Sequence, residues 1–401
     1  MPTQKKRIAL LGSTGSIGRS VLDVVARHPD RFELVGLAAR RDIDALRAQC
    51  AAHPRARVAM ADAKAHAALV ADGALAKRSV GGGVEALSAL VAETQPDLVV
   101  NAVVGFVGLG PTIAALEAGI PVAIANKETV VTGGEILMEA ARAGGTHLIP
   151  IDSEHVAVDQ CLRGERGEDV HKVLLTASGG ALRDMPVAAM ASATVADVLA
   201  HPTWDMGKKI TVDSATLVNK GLEIIEAHWL FGIPYAKIDA VIHPQSIVHA
   251  LVQFVDGSIV AQLAEPDMRL PILYALSQPA RIDSPLRHDV LAFPDLTFAP
   301  VDGERYPCFA LAREAARAGG NAPTILNAAN EVAVEAFLQG RIAFAAIGAV
   351  IEGALAGVER GAVGALEDIV TTDRLTRRWI AERFPVSPGS GRGEAAGGGA
   401  C

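Results

Sequence analysis

The strongest constraint on this chain is an alternation that runs through its first 150 residues. Short apolar runs at 7–11 (RIALL), 32–38, 57–60, 98–101, 122–125 and 147–151 read as buried strands. Stretches of helical periodicity separate them, among them 17–27 and 112–118, the latter closed by Gly119. Strands that are apolar on both faces and alternate with helices can hide those faces only in a parallel sheet with helices packed on each side. The expected fold class is therefore α/β.

GSTGSIG (12–18) joins the first strand to the first helix. Glycines in such a turn let backbone N–H groups approach a pyrophosphate, and the helix N-terminus behind them favours its charge. The spacing is one residue looser than the usual fingerprint. Its place in the alternation nevertheless makes a Rossmann-type dinucleotide-binding domain the expectation for 1–150. At the end of the second strand comes AARRD (38–42). NAD sites place an acid here for the ribose 2′-hydroxyl. Arg40 and Arg41, followed by Asp42, instead match a 2′-phosphate and point to NADPH; the alternative is two solvated surface arginines. In ANKETVV (125–131), Lys127 stands between Asn126 and Glu128 on the carboxyl edge of the sheet, where open α/β folds take ligands.

Beyond about residue 170 the texture changes. Residues 170–176 form a strand leading into SGG, and 214–231 a long helix stopped by Gly232 and Pro234. Runs at 247–255 and 258–263 flank Asp256-Gly257 as a β-hairpin, whose edge offers a way for two copies to join. Residues 281–307 are proline-rich, and 308–318, 324–338, 343–357 and 375–384 are Ala- and Leu-rich helices. The expected division is a cofactor domain 1–150, a central α/β catalytic domain 151–290 with a flexible flap at 198–209, a linker 291–307, a C-terminal helical bundle 308–384 and a disordered tail 385–401.

IPIDSEH (149–155) places Asp152 and Glu154 where a buried strand gives out. The pair reads either as helix capping or as ligands for a hard divalent cation, which wants several oxygens and so a third carboxylate. VDSATLVNKGLEIIEAHWLFG (212–232) offers one. Asn219, Lys220 and Glu223 share a helix face, Leu222, Ile225 and Trp229 form an apolar stripe, and Glu226 reads equally well as a plain surface acid. Ser178, before two glycines, and Ser214 are candidate phosphate-binding hydroxyls, although either could be a cap. AHPTWDMGKKI (200–210) reads as a lid. His201 would contact phosphate or move a proton, and Trp204 would cover the substrate or anchor the fold.

Composition excludes other classes. A net charge of −8 and 4% aromatic residues argue against nucleic-acid binding. No uncharged apolar run reaches the ~18 residues of a membrane span, and no secretory signal is expected at the N-terminus. Cys50, Cys161, Cys308 and Cys401 lie far apart, as expected of reduced thiols in a cytoplasm. None sits in a turn suited to the nucleophile of a semialdehyde dehydrogenase. A metal-independent dehydrogenase would leave the carboxylates without purpose, and a nucleotide sensor would leave Asn219, Lys220 and the lid without one.

GSTGSIG, ANKE, PIDSEH, LLTASGG, HPTWDMG, VDSATLVNKGLE, IHPQSIVH, QLAEPDMR and LNAANEVAV follow one another over roughly residues 7–384. In that order they resemble the 1-deoxy-D-xylulose 5-phosphate reductoisomerase family, homodimeric enzymes of isoprenoid precursor synthesis. The resemblance implies NADPH and Mg²⁺ or Mn²⁺ as cofactors and a small phosphorylated sugar as substrate. It implies that Asp152, Glu154 and Glu223 hold the metal. Ser178, His201, Ser214, Asn219 and Lys220 would take the phosphate end, with Lys127 and Ser153 on the oxygens near the metal. Thr14, Gly15, Ser16, Ile17, Asn126, Glu128 and Gly207 would line the cofactor. Two departures stand out: Ala177 where relatives can have glycine, and Arg40-Arg41 where relatives can have Gly-Lys.

Overall fold

The computed structural model of the chain describes residues 5–384 apart from 72, 74 and 288; the tail 385–401 lies outside them. Seven strands form a wholly parallel sheet: β1 (Lys6–Leu11), β2 (Phe32–Ala39), β3 (Arg57–Met60), β4 (Ser79–Gly82), β5 (Leu98–Asn101), β6 (Val122–Ile124) and β7 (Leu148–Pro150). Their order is β4-β3-β2-β1-β5-β6-β7. The direction of winding reverses between β1 and β5, and a crevice opens at the carboxyl ends of such a pair. Only β4 was not expected. Its sequence, SVGG, has no apolar run to betray it.

The second sheet combines β8 (Val170–Ala177), β9 (Ile238–Ile242), β10 (Val248–Phe254), β11 (Ile259–Leu263) and β12 (Ala299–Pro300), in the order β11-β10-β8-β9-β12. β8 and β9 are parallel and the other pairs antiparallel, including the expected hairpin β10–β11. β12 comes from the proline-rich stretch, which is thus partly built into the sheet by pairing with β9. After β11 the chain returns to the first sheet. The helix Arg269–Ser277, absent from the sequence reading, buries Ile272, Leu273 and Leu276 with Ile8, Leu10 and Ile149.

The long helix expected at 214–231 is two helices, Lys208–Thr216 and Val218–Phe231, meeting at Leu217 with φ 59°. Left-handed backbone is costly for a branched side chain. Here a buried Leu217 side chain, packed with Ile224 and Val173, holds the turn. The helix Val218–Phe231 lies between two cores. Leu222 and Ile225 face the C-terminal bundle, while Ile224 and Ala227 face the second sheet with Val173 and Ala250. It also approaches the helix Lys127–Ala143 so closely that a Cβ on Gly134 would overlap the indole of Trp229. The bundle comprises Pro307–Ala318, Ala322–Leu338, Ala346–Gly357 and Leu366–Arg383; the last begins nine residues before the expected 375.

Candidate active site

One cleft of about 470 Å³ runs from the glycine loop to the Val218–Phe231 helix. Its cofactor end is walled by Gly15, Ser16, Ile17, Ala102 and Val103, at the ends of β1 and β5 where the winding reverses. Gly12 has φ +89°, and a Cβ there would lie 2.4 Å from the Ala102 carbonyl; a Cβ on Gly18 would lie 2.2 Å from the Gly12 carbonyl. The loop can therefore tuck between β5 and its own helix only with glycine at both positions.

At the other end Asp152, Glu154 and Glu223 face the same space. Asp152 is the N-cap residue of the helix Ser153–Cys161, yet its side chain makes no cap hydrogen bond, so the capping reading fails. Two lysines are threaded between the acids instead. Lys127 Nζ lies 2.5 Å from Asp152 Oδ2 and 3.2 Å from Glu223 Oε1. Lys220 Nζ donates to Glu154 Oε1 at 2.9 Å and Glu223 Oε2 at 2.5 Å. Asn219 donates to Glu223 Oε1 at 2.6 Å, and Ser153 Oγ to Glu154 Oε2 at 2.6 Å. Burial opposes charge on Lys127, but Asp152 and Glu223 outweigh it and hold the ammonium well above its usual range. Burial likewise opposes ionisation of Glu154, and Lys220 overcomes it, driving that carboxyl below its usual range.

These residues fit a hard divalent cation. Single ammonium groups bridge pairs of the carboxylates, so the acids are near enough to share one ion. Asp152 Oδ2 and Asn219 Oδ1 are buried without an aligned hydrogen bond. A tighter group, Asp152, His155 and Glu226, has ligand atoms within 4.8 Å of one another. His155 and Glu226 are wholly buried and do not line the cleft, so an ion there would lack the open face a catalytic metal needs. Burial first, and then Asp152, push the Glu226 carboxyl well above its ordinary range. The reading of Glu226 as a surface acid is thus corrected. The signal was available: its neighbours Ile224, Ile225 and Ala227 leave this helix little polar face.

A second polar cluster in the cleft converges on His201. Its Nε2 lies 3.0 Å from Ser178 Oγ and 3.3 Å from Ser214 Oγ. Its Nδ1 accepts from the backbone N–H of Trp204 at 3.0 Å and Thr203 at 3.2 Å. That assigns the proton to Nε2, which points as a donor into the cleft. Burial and Arg183 lower the His201 pKa, keeping the ring neutral. Ser214 sits in the last turn of its helix, so it offers its hydroxyl but no helix N-terminus. Trp204 lines the cleft edge-on to His249, with ring centroids 6.4 Å apart. His249 itself, also in the cleft wall, was not singled out in the sequence.

Other expected cofactor residues stand outside the cleft wall. Asp42 caps the helix Ile43–Ala52 by accepting from Ala45 N at 2.9 Å. Arg41 pairs with Asp62 at 2.7 Å on the surface, and Arg40 is exposed. Asn126 spends its amide on structure, capping the Lys127 helix through Thr129 N and donating to the Gly105 carbonyl. Thr14 has its carbonyl bonded to Arg19. Glu128 and Gly207 do line the cleft.

A dinucleotide-type crevice that opens onto a polar pocket of acids, lysines and hydroxyls defines a class: an α/β oxidoreductase acting on an anionic substrate. Three family models narrow it. One for 1-deoxy-D-xylulose 5-phosphate reductoisomerase matches residues 8–134, and two for its C-terminal domains match 148–231 and 263–379. The 1-deoxy-D-xylulose 5-phosphate reductoisomerase of Gloeobacter violaceus is 49% identical over 95% of this chain and 99% of its own. That of Geobacillus kaustophilus is 49% identical over 94% and 98%. Among solved structures, a reductoisomerase in complex with NADPH, fosmidomycin and magnesium superposes with a TM-score of 0.89 at 37% identity, covering 95% of this chain and 98% of that one. The Zymomonas mobilis enzyme in complex with NADPH gives 0.87 at 39% identity over 94% and 99%. The chain belongs to the 1-deoxy-D-xylulose 5-phosphate reductoisomerase family.

Proposed function

We propose that this chain rearranges 1-deoxy-D-xylulose 5-phosphate by a retro-aldol and aldol sequence and reduces the resulting aldehyde with NADPH to 2-C-methyl-D-erythritol 4-phosphate, for isoprenoid precursor synthesis. The observation that carries the reading is the interleaved set Asp152, Lys127, Glu223, Lys220 and Glu154, which opens on the same cleft as the glycine loop. When held by Asp152, Glu154 and Glu223, Mg²⁺ or Mn²⁺ supplies Lewis-acid stabilisation of the oxyanion charge that develops as the carbon–carbon bond breaks. NADPH supplies the hydride.

The chain's own groups do the rest. Lys127 and Ser153 are placed to donate to substrate oxygens beside the three acids. His201 Nε2–H, with the Ser178 and Ser214 hydroxyls, takes the phosphate, helped by Asn219 and Lys220. Trp204 and the 200–207 segment exclude water. The loop of Gly15, Ser16 and Ile17 meets the pyrophosphate, with Thr14, Asn126, Glu128 and Gly207 around the cofactor. Arg40 and Arg41 lie at the exposed end of β2, where they would meet a 2′-phosphate, and Asp42 shapes that end as a cap.

The division into cofactor domain, catalytic domain with flap, linker and bundle is part of the same proposal, with Arg269–Ser277 returning to the first sheet. So is a homodimer joined through the β11 edge, where Ile259 is 56% and Val260 40% exposed. A cytoplasmic location is proposed from the free, buried Cys50, Cys161 and Cys308. Among the described residues no helix is long and apolar enough to cross a membrane. The test is NADPH oxidation with 1-deoxy-D-xylulose 5-phosphate on chelator-stripped protein, before and after adding Mn²⁺ or Mg²⁺. Turnover only with metal is expected; metal-independent turnover removes the roles given to the three acids.

A further inference from the structure

LNAANEVAV (326–334) has no part in the chemistry above, yet it points a polar edge out of the bundle. It lies in the helix Ala322–Leu338, whose Ile325, Leu326, Ala329 and Ala333 fill the bundle core. Asn330, fully buried, donates from Nδ2 to Asp213 Oδ1 at 2.8 Å. Asp213 Oδ2 pairs with Lys209 Nζ at 2.9 Å, and Lys209 reaches on to Glu128 Oε1 at 2.5 Å. Lys209 and Glu128 both line the cleft. One continuous polar chain therefore joins the bundle to the wall of the cleft, through buried Asn330, Asp213 and Glu128 and a half-buried Lys209.

Lys209 breaks a local rule to take this place. It is the second residue of the helix Lys208–Thr216, whose first turn contains no acid. A cation there opposes the helix dipole. Burial also opposes its charge, and Asp213 and Glu128, with a contribution from Glu331, overcome that and hold the ammonium above its usual range. A local choice that costs stability and is offset only by distant partners marks a residue kept for what it positions. The helix it opens begins directly after the 200–207 segment that carries His201 and Trp204.

We propose that Lys209 is a positioning residue for the cofactor: bridging Glu128 to Asp213, and backed by Asn330, it fixes Glu128 in the cofactor wall, so that the bundle sets how tightly NADPH is held. The inference rests on the NADPH reading above. It accounts for a bundle helix with buried asparagines in contact with the catalytic helices, which packing alone does not require.

The experiment measures NADPH binding to the full-length protein by fluorescence, with KM values for NADPH and for the sugar phosphate, Mn²⁺ dependence and thermal midpoint, in Lys209→Met, Lys209→Arg and Asn330→Ala. Lys209→Met should weaken NADPH by at least about tenfold, the range for losing a charged hydrogen bond. Lys209→Arg should recover most of that loss and Asn330→Ala should show a loss of about threefold, while the sugar-phosphate KM and Mn²⁺ dependence stay within about twofold. Unchanged NADPH affinity in folded Lys209→Met overturns the inference, as does an equal loss for both substrates. Should Lys209→Met not fold, unchanged affinity in Asn330→Ala overturns it. A wild-type protein that turns over substrate beside an unaffected variant sinks this inference alone; one that binds no NADPH sinks both readings.

Discussion

The two ends of the cleft are built in opposite ways. The cofactor end is one continuous turn, Gly12 to Gly18, whose geometry follows from residues adjacent in the chain. The acidic end is assembled from three helices, which bring Lys127, Asp152 with Glu154, and Lys220 with Glu223 to one place. A local site depends on backbone conformation and close approach. An assembled site depends on packing that holds like charges together, and it survives because lysines alternate with acids. The first should fail through strain, the second through charge.

The largest effect should come from charge. Glu223→Gln removes the acid that both lysines and Asn219 share and should lower kcat/KM by about 10³-fold, as loss of a preorganised electrostatic group does. Circular dichroism should show the fold retained. Near-normal turnover at saturating metal would remove the assembled site from the comparison. Next, His201→Ala takes the Nε2 donor from the cluster proposed to bind phosphate. We expect a loss of about 10²-fold in kcat/KM, carried mainly by the sugar-phosphate KM, with NADPH binding by fluorescence unaffected. An effect confined to NADPH would move His201 to the other end of the cleft.

At the local end, Gly12→Ala should weaken NADPH by about tenfold through a strain of about 1–3 kcal/mol. Mn²⁺ affinity, read by titration, should not follow; if it does, the two ends are not independent. The smallest effect concerns Glu226. Unfolded, its carboxyl ionises near 4.5; folded, it does so well above that. A raised folded value means the folded state gains nothing below the unfolded pKa and is increasingly penalised as pH rises above it. Glu226→Gln, neutral at every pH, should therefore match wild type near pH 4 and melt about 2 °C higher near pH 8 in metal-free protein. A lower melting point at pH 8 would mean that the charge is compensated by a partner.

The same contrast explains what could be read from the chain. Every strand of the first sheet except β4 was legible because those strands are apolar on both faces, and the glycine loop because its requirements are local. Asp152 and Glu154 were visible as a pair, but capping and metal binding predict the same residues. Only the unmade cap hydrogen bond and the position of Lys127 separate them. Glu226 and Lys209 were misjudged or passed over for one reason. Each looks like an ordinary surface charge in its own helix; the burial of Glu226 and the pairing of Lys209 with Glu128 come from segments distant in sequence. The helix Arg269–Ser277 was missed because its apolar face answers to Ile8 and Leu10, far away in the chain, rather than to its neighbours.

Taken alone, the order of residues determined the parallel sheet, the turn that approaches a pyrophosphate and the types of group available for catalysis, since each depends on a few neighbouring side chains and their periodicity. Tertiary structure decided which charges meet. It set Lys127 against Asp152, closed His201 onto Ser178 and Ser214, buried Glu226 and tied Asn330 to Glu128 through Asp213 and Lys209. The physical reason is range. Backbone conformation is settled within a turn or two, whereas the energy of a charge depends on how much water and which partners the rest of the fold leaves beside it.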